Sequence, residues 1–296
     1  MAVIENNKYR VSIDQNGAEI TSIQNKLKDN YEYIWNDQSG KFWHRHSPIL
    51  FPATGRSNDD RYKLEGKIYP MMQHGFVRDC VWQEVEHSSH HVTFRLSEDK
   101  KYFENYPFRF TIAVTYTVNE QGLFVETKVT NNDEKKMPFA LGFHPAFNIV
   151  QDSDGIIDDY ELILSPVNKP LTRFSPGKVP FISGKIEALN VARGNKIKLT
   201  HDLLDLGFIL VANEEIKRAE LRSANSNRSI IIDLGNFPYL NIWSQEQKKA
   251  PFICVEPFAG LPDIESDSPT DWYQKKGNSV IKKNETKDFY FQIELY

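Results

Sequence analysis

Cysteine is nearly absent from this sequence: Cys80 and Cys254 are the only two among 296 residues. Two thiols cannot make a disulfide framework or a cysteine-rich metal site, so neither class of small stapled domain is expected. No apolar run approaches the ~18 residues needed to span a membrane. The opening residues carry no basic stretch followed by an apolar one, which argues against a signal peptide and for a cytoplasmic location. Charge of one sign is lacking too. Lys and Arg total 36 against 40 Asp and Glu, a net charge of −4, so nothing in the balance draws nucleic acid or anionic lipid. Several chemistry-bearing patterns are missing as well: G-x-G-x-x-G, the P-loop, G-x-S-x-G and H-E-x-x-H. Their joint absence moves weight away from nucleotide cofactors, serine hydrolysis and zinc proteolysis.

What the chain does have is apolar material, 40% hydrophobic and 12% aromatic, enough to support a folded core rather than a disordered chain. Its dominant period is two. Phe110, Ile112, Val114, Tyr116 and Val118 alternate with Thr111, Ala113, Thr115 and Thr117, the pattern of a half-buried strand. Leu123, Val125, Thr127 and Val129 repeat it after a turn at 119–122, which predicts a hairpin. Further strands are expected at 92–96, 160–165, 196–200, 208–211, 219–223, 230–234, 239–243, 252–255 and 289–295. Only 100–105 and 271–276 suggest helical turns, and 264–284 reads as a long loop. No tandem repeat or Pro/Gly/Ser linker divides the chain. The expectation is one all-β domain over residues 1–296, a large sandwich or barrel.

His44 and His46 have the spacing of two ligands on one strand face. The following Ser-Pro-Ile-Leu-Phe supplies no acid to complete a metal-binding cupin pattern, so no metal is expected there. Four other segments are harder to attribute to packing. They are Pro48-Ile-Leu-Phe-Pro-Ala-Thr-Gly-Arg56, Gln73-His-Gly-Phe-Val-Arg78, Leu141-Gly-Phe-His144-Pro-Ala-Phe147 and Ile253-Cys-Val-Glu256-Pro-Phe-Ala-Gly-Leu-Pro-Asp263. Each sets a polar side chain at the end of an apolar run and beside Gly or Pro, where a β scaffold hands over to a functional loop. Glu256 follows Phe-Ile-Cys-Val, so an interior position and a displaced pKa make it a candidate base. A histidine beside glycine is ordinarily structural. Arg56 has two readings, a site cation or the partner of a nearby acid.

In that order the four segments resemble the aldose 1-epimerase (galactose mutarotase-like) family, and most of all its LacX-like bacterial branch. The resemblance covers nearly the whole chain. It implies a β-supersandwich fold and cofactor-free interconversion of the α and β anomers of an aldose. Carried over by motif, it makes Glu256 the general base and His144 the general acid, with His74 and Arg56 binding and polarising the sugar. Asp205 is the match for a further substrate-contacting acid. Phe76, Phe143 and Trp243 are expected as apolar platforms for the ring. The chemistry suits these residue types, because ring opening removes the proton of the anomeric hydroxyl while protonating the ring oxygen. A carboxylate and an imidazolium together do both.

A free hexose such as galactose or glucose is the leading substrate. A hexose 6-phosphate is the alternative, for which Arg78 with Arg56 and Lys63 or Lys67 are the available cations. A non-catalytic sugar-binding protein on the same fold is a third reading, and the presence of both Glu256 and His144 counts against it. The expected partner is a small-molecule sugar, with no nucleic acid, membrane, metal or cofactor. The oligomeric state is left open.

Overall fold

The clearest alternation becomes the longest hairpin. In the computed structural model, which describes residues 1–37, 39–149 and 155–296, Phe110–Asn119 pairs with Gly122–Asn131 over ten residue pairs. Phe110, Ile112, Val114, Tyr116 and Val118 point inward and are buried, while the intervening residues stay half-exposed. The turn is held by the Asn119 side chain, whose Oδ1 accepts from the backbone N–H of Gln121 and Gly122 at 2.9 and 3.0 Å, a local bond that Asn is suited to make.

This hairpin sits in a ten-stranded sheet. On one side of it lie His91–Ser97 and Gln83–His87. On the other, Thr286–Leu295 joins it to Ser229–Asp233, Arg218–Ser223 and Tyr160–Ser165. A second, eight-stranded sheet runs from Ile182–Ala188 through Thr172–Pro176, Ile209–Val211, Tyr239–Trp243, Phe252–Ala259 and Leu141–Phe143 to Ile49–Leu50. Ala146–Asn148 also pairs with Phe252–Ala259. One hydrophobic cluster takes side chains from both large sheets: Ile112, Val114 and Phe291 from the first, Ile242, Ile253 and Val255 from the second. Phe143 lies 4.8 Å from Phe291, ring to ring, and joins the two layers. The fold is thus an all-β sandwich whose two large sheets share one core. Among the described residues no helix is long and apolar enough to cross a membrane.

The structure adds strands that the sequence reading does not include, among them Gln83–His87, Thr172–Pro176 and Ile182–Ala188, and it departs from that reading elsewhere. Four strands, Ala2–Glu5, Tyr9–Ile13, Ile20–Asn25 and Tyr31–Glu32, form a sheet of their own. The span expected as a loop, 264–284, contributes Thr270–Asp271 alongside Arg61–Leu64 and Ser279–Ile281 alongside Met137–Phe139. It is pinned by Trp272, buried and stacked on Tyr62 at 3.8 Å, and such short pairings leave no period to detect. The strand expected at 252–255 continues through Pro257 to Ala259.

Candidate active site

All eight residues of Phe252–Ala259 are buried, and the strand forms the spine of the site. On one side, Asn241 of Tyr239–Trp243 stands opposite Glu256 in the register. Its Nδ2 donates to Glu256 Oε1 at 2.9 Å. On the other side, the chain pairs through Leu141–Phe143 and again through Ala146–Asn148. His144 occupies the break between these two short strands, its backbone N–H donating to Pro48 O at 3.1 Å. That break aims the imidazole at the carboxylate: His144 Nε2 is 3.4 Å from Glu256 Oε2. Glu256 Oε2 and His144 Nδ1 are both buried without a hydrogen-bond partner.

Burial governs the charges of this pair. Desolvation pushes the Glu256 carboxyl well above the usual carboxylate range, against the opposing bond from Asn241. Desolvation also brings His144 down from 6.5 to about 3. Burial therefore favours the uncharged form of both groups, a carboxyl facing a neutral imidazole. The sequence expectation had a carboxylate facing an imidazolium. The two arrangements contain the same number of protons and differ by one transfer across 3.4 Å.

Above the pair opens a cavity of about 400 Å³. Trp43 and Trp243 form its aromatic walls, with ring centroids 4.8 and 5.5 Å from that of His144. Trp243 is fixed by its Nε1, which donates to Glu246 Oε1 at 2.8 Å. His74 enters from a loop, its ring 5.6 Å from that of His144 and perpendicular to it. The motif around His74 has a backbone cause. His74 and Gly75 both adopt left-handed φ, +68° and +71°. A Cβ on Gly75 would sit 2.0 Å from the Phe51 carbonyl oxygen, so only glycine fits there. His74 Nδ1 accepts from the Gly55 N–H at 3.1 Å, which leaves its proton on Nε2 as a donor. Burial, with His144, Arg78 and Arg45 nearby, holds its pKa well below the usual value. Arg78 also lines the cavity. Its Nη2 donates to Gln73 O at 2.8 Å and its Nε has no hydrogen-bond partner.

A family model described as aldose 1-epimerase matches residues 1–294. The chain belongs to the aldose 1-epimerase family. It is 30% identical over 264 residues to the chromosomal LacX protein of Lactococcus lactis subsp. lactis, covering 87% of each chain. Among solved structures it resembles a galactose mutarotase-like protein from Lactobacillus casei, at 49% identity, a TM-score of 0.96 and full coverage of both chains. A galactose mutarotase related enzyme from Lactobacillus acidophilus is similar at 27% identity and a TM-score of 0.92, covering 100% of this chain and 97% of that one. A galactose mutarotase-like protein from Clostridium acetobutylicum, 17% identical with a TM-score of 0.78 and coverage of 99% and 94%, shares the fold.

Not every family-matched residue faces the cavity. Arg56 is absent from the lining. Its Nε and Nη2 donate to the two carboxylate oxygens of Asp60 at 2.7 and 2.6 Å, so of its two sequence readings the acid partner is the one seen. Asp205 ends the one-turn helix His201–Leu204 and is likewise not part of the lining. Its Oδ1 accepts from Gln247 N–H at 2.6 Å, which braces the loop that brings Gln245 and Glu246 to the cavity. Of the three expected platforms only Trp243 lines it. Phe76 is buried and stacked on Tyr102 at 4.3 Å, and Phe143 is buried against Phe237 and Phe291. Their apolar character serves the core.

Lys63 and Lys67 belong to the hairpin Arg61–Leu64/Lys67–Pro70 and do not reach the cavity wall. His46 sits against Glu19, Nδ1 to Oε1 3.5 Å. Among the described residues, the one group of three His, Cys, Asp or Glu side chains close enough to share a metal ion is His144, Cys254 and Glu256. Trp43, Asn241, Gln245 and Glu246 belong to none of the four motifs. Only the sheet order, with Tyr239–Trp243 beside Phe252–Ala259, reveals Asn241.

Proposed function

We propose that this protein is an aldose 1-epimerase that interconverts the α and β anomers of a free hexose such as galactose or glucose. The observation that supports this is the buried Glu256–His144 contact of 3.4 Å beneath an aromatic-walled cavity. Transfer of the shared proton from Glu256 Oε2 to His144 Nε2 arms the pair. Glu256 then takes the anomeric hydroxyl proton while His144 delivers its proton to the ring oxygen. The bond between C1 and the ring oxygen breaks and the C1 carbonyl forms. After rotation about C1–C2 the roles reverse. His144 recovers the proton from the sugar hydroxyl as it attacks the other carbonyl face, and Glu256 returns a proton to the carbonyl oxygen. Each acid–base contribution is typically worth ~10²–10⁴ in rate. Asn241 bonds Oε1 alone and leaves Oε2 to work. The His74 Nε2–H, Gln73 and Arg78 suit sugar hydroxyls, and the faces of Trp43 and Trp243 suit the apolar ring face.

A free sugar fits better than a phosphate ester. Apart from the histidines, the charged side chains lining the cavity are Arg78 and Glu246, one of each sign. A phosphate dianion needs convergent cations to offset its desolvation. The test is an anomer-exchange panel, by polarimetry or NMR, with galactose, glucose and glucose 6-phosphate. Free hexoses are expected to have the higher kcat/KM. Sugar binding without exchange overturns the enzymatic reading, and a phosphate ester preferred tenfold or more overturns the free-sugar reading.

A further inference from the structure

Cys254 has no role in ring opening, yet it shares a strand face with Glu256, two residues away. Ala146 is its register partner, so His144 comes alongside from the neighbouring segment. One ligand atom from each of His144, Cys254 and Glu256 lies within 4.8 Å of the others, and all three side chains are buried. The imidazole and carboxylate are already 3.4 Å apart. Bonds of about 2.0–2.1 Å set at a tetrahedral angle put two such ligand atoms about 3.3 Å apart. Glu256 Oε2 is fully buried and has no hydrogen-bond partner. It faces His144 and this space, because Asn241 bonds the other oxygen.

We propose that His144, Cys254 and Glu256 bind a thiophilic divalent cation, Zn²⁺ being the fitting ion, and that its occupancy blocks the acid–base pair. Charge supports the ion's valence. A thiolate, a carboxylate and a neutral imidazole sum to −2, which a divalent ion cancels, so no net charge is left buried. On binding, the Cys254 thiol and the Glu256–His144 pair each release one proton to solvent. Donor type supports the ion's identity. Sulfur and imidazole select zinc or cobalt, whereas Mg²⁺ and Ca²⁺ require shells of oxygen. Three protein ligands leave a fourth position on the side of the cavity, which His144 lines. With Nε2 and Oε2 on the metal, neither atom exchanges a proton with sugar. A buried free cysteine is otherwise a small apolar filler, and that account predicts no metal response.

The experiment uses Co²⁺ as the optical probe and Zn²⁺ as the inhibitor of anomer exchange. Wild type and Cys80→Ala should both develop the near-ultraviolet thiolate-to-cobalt band, which Zn²⁺ abolishes and Mg²⁺ does not. Cys254→Ala should lose the band, keep metal-free exchange within about twofold, and weaken Zn²⁺ inhibition at least about tenfold. Cys254→Ser is the second variant should the alanine protein fail to fold. No band in wild type, or a band that survives in the Cys254 variants, overturns the proposal. The band is read without sugar, so a chain that binds cobalt through Cys254 but exchanges no anomers fails the enzymatic reading alone.

Discussion

Along Phe110–Asn119 buried and half-exposed side chains alternate, whereas all eight residues of Phe252–Ala259 are buried. Both strands supply one face to the shared core, Ile112 and Val114 from the first, Ile253 and Val255 from the second. The difference lies in the other face. On Phe110–Asn119 it is half-exposed and carries Thr111, Thr115 and Thr117. In the eight-stranded sheet it is roofed by loops and carries Cys254 and Glu256 beneath the cavity. A strand that loses its alternation while carrying a carboxylate has a second buried face, and a carboxylate there needs a chemical reason.

The sharpest way to break this comparison is to neutralise the carboxylate. Glu256→Gln and His144→Asn should each lower kcat for anomer exchange by roughly 10²–10⁴ with the fold intact. Near-native turnover in either variant, read by polarimetry, would remove the roles assigned to both. The complementary cut in the other sheet is Ile112→Ala. It should cost about 2–5 kcal/mol in urea unfolding and leave exchange per folded molecule unchanged. A catalytic loss there would mean that the two sheets do not divide the labour.

A smaller effect concerns pH. Burial raises the Glu256 pKa in the folded protein. Below the unfolded value both states hold the proton. As pH rises past it, the unfolded chain ionises first and stability declines toward the folded pKa. Glu256→Gln should therefore gain stability relative to wild type as pH rises above about 4.5. His144 runs the other way, its pKa lowered from 6.5 to about 3. Its contribution is complete above the unfolded value and is lost as pH falls through the folded one, a loss that His74 shares in direction. His144→Asn should flatten the acid side only in part. Urea midpoints across pH read both, and a Glu256→Gln difference that stays level from pH 4 to 8 would show that the carboxyl is not held protonated.

Much of this division was legible in the residues. The period of two at 110–129 names the hairpin, and each of the four motifs does bring a residue to the cavity: Gly55, His74, His144 and Phe258. What could not be read are side chains delivered by strand order alone. Asn241 and Trp43 sit in segments without a motif and reach Glu256 and His144 only through pairing and ring contact. Phe76 and Phe143 were misread because an aromatic beside a catalytic motif looks the same whether it faces the core or the ligand. The resting charge that the acid–base pair favours could not be read for a related reason, since full burial of both groups is a tertiary fact.

The smallest expected effect separates two arginines. Arg78 lines the cavity, with its Nη2 on Gln73 O and its Nε 3.8 Å from Asp79 Oδ2, so Arg78→Ala should raise KM for a hexose by about tenfold or more, the loss of one charged hydrogen bond of roughly 1.5–3 kcal/mol. Arg56 spends both its paired nitrogens on Asp60, and the two side chains are 43% and 45% exposed. A surface ion pair of this kind contributes at most ~1 kcal/mol to stability, and the guanidinium does not reach the cavity. Arg56→Ala should leave kcat and KM within about threefold of wild type, despite the Gly-Arg motif that ties it to the family's sugar contacts. A tenfold loss of kcat/KM in Arg56→Ala, with Asp60→Asn matching it, would mean that the pair opens when sugar arrives and that the arginine swings into the cavity. The same loss without an Asp60 effect would place Arg56 at the sugar independently of its partner. Either outcome would move the boundary of the site outward from the buried face of Phe252–Ala259 to the loop that follows Phe51.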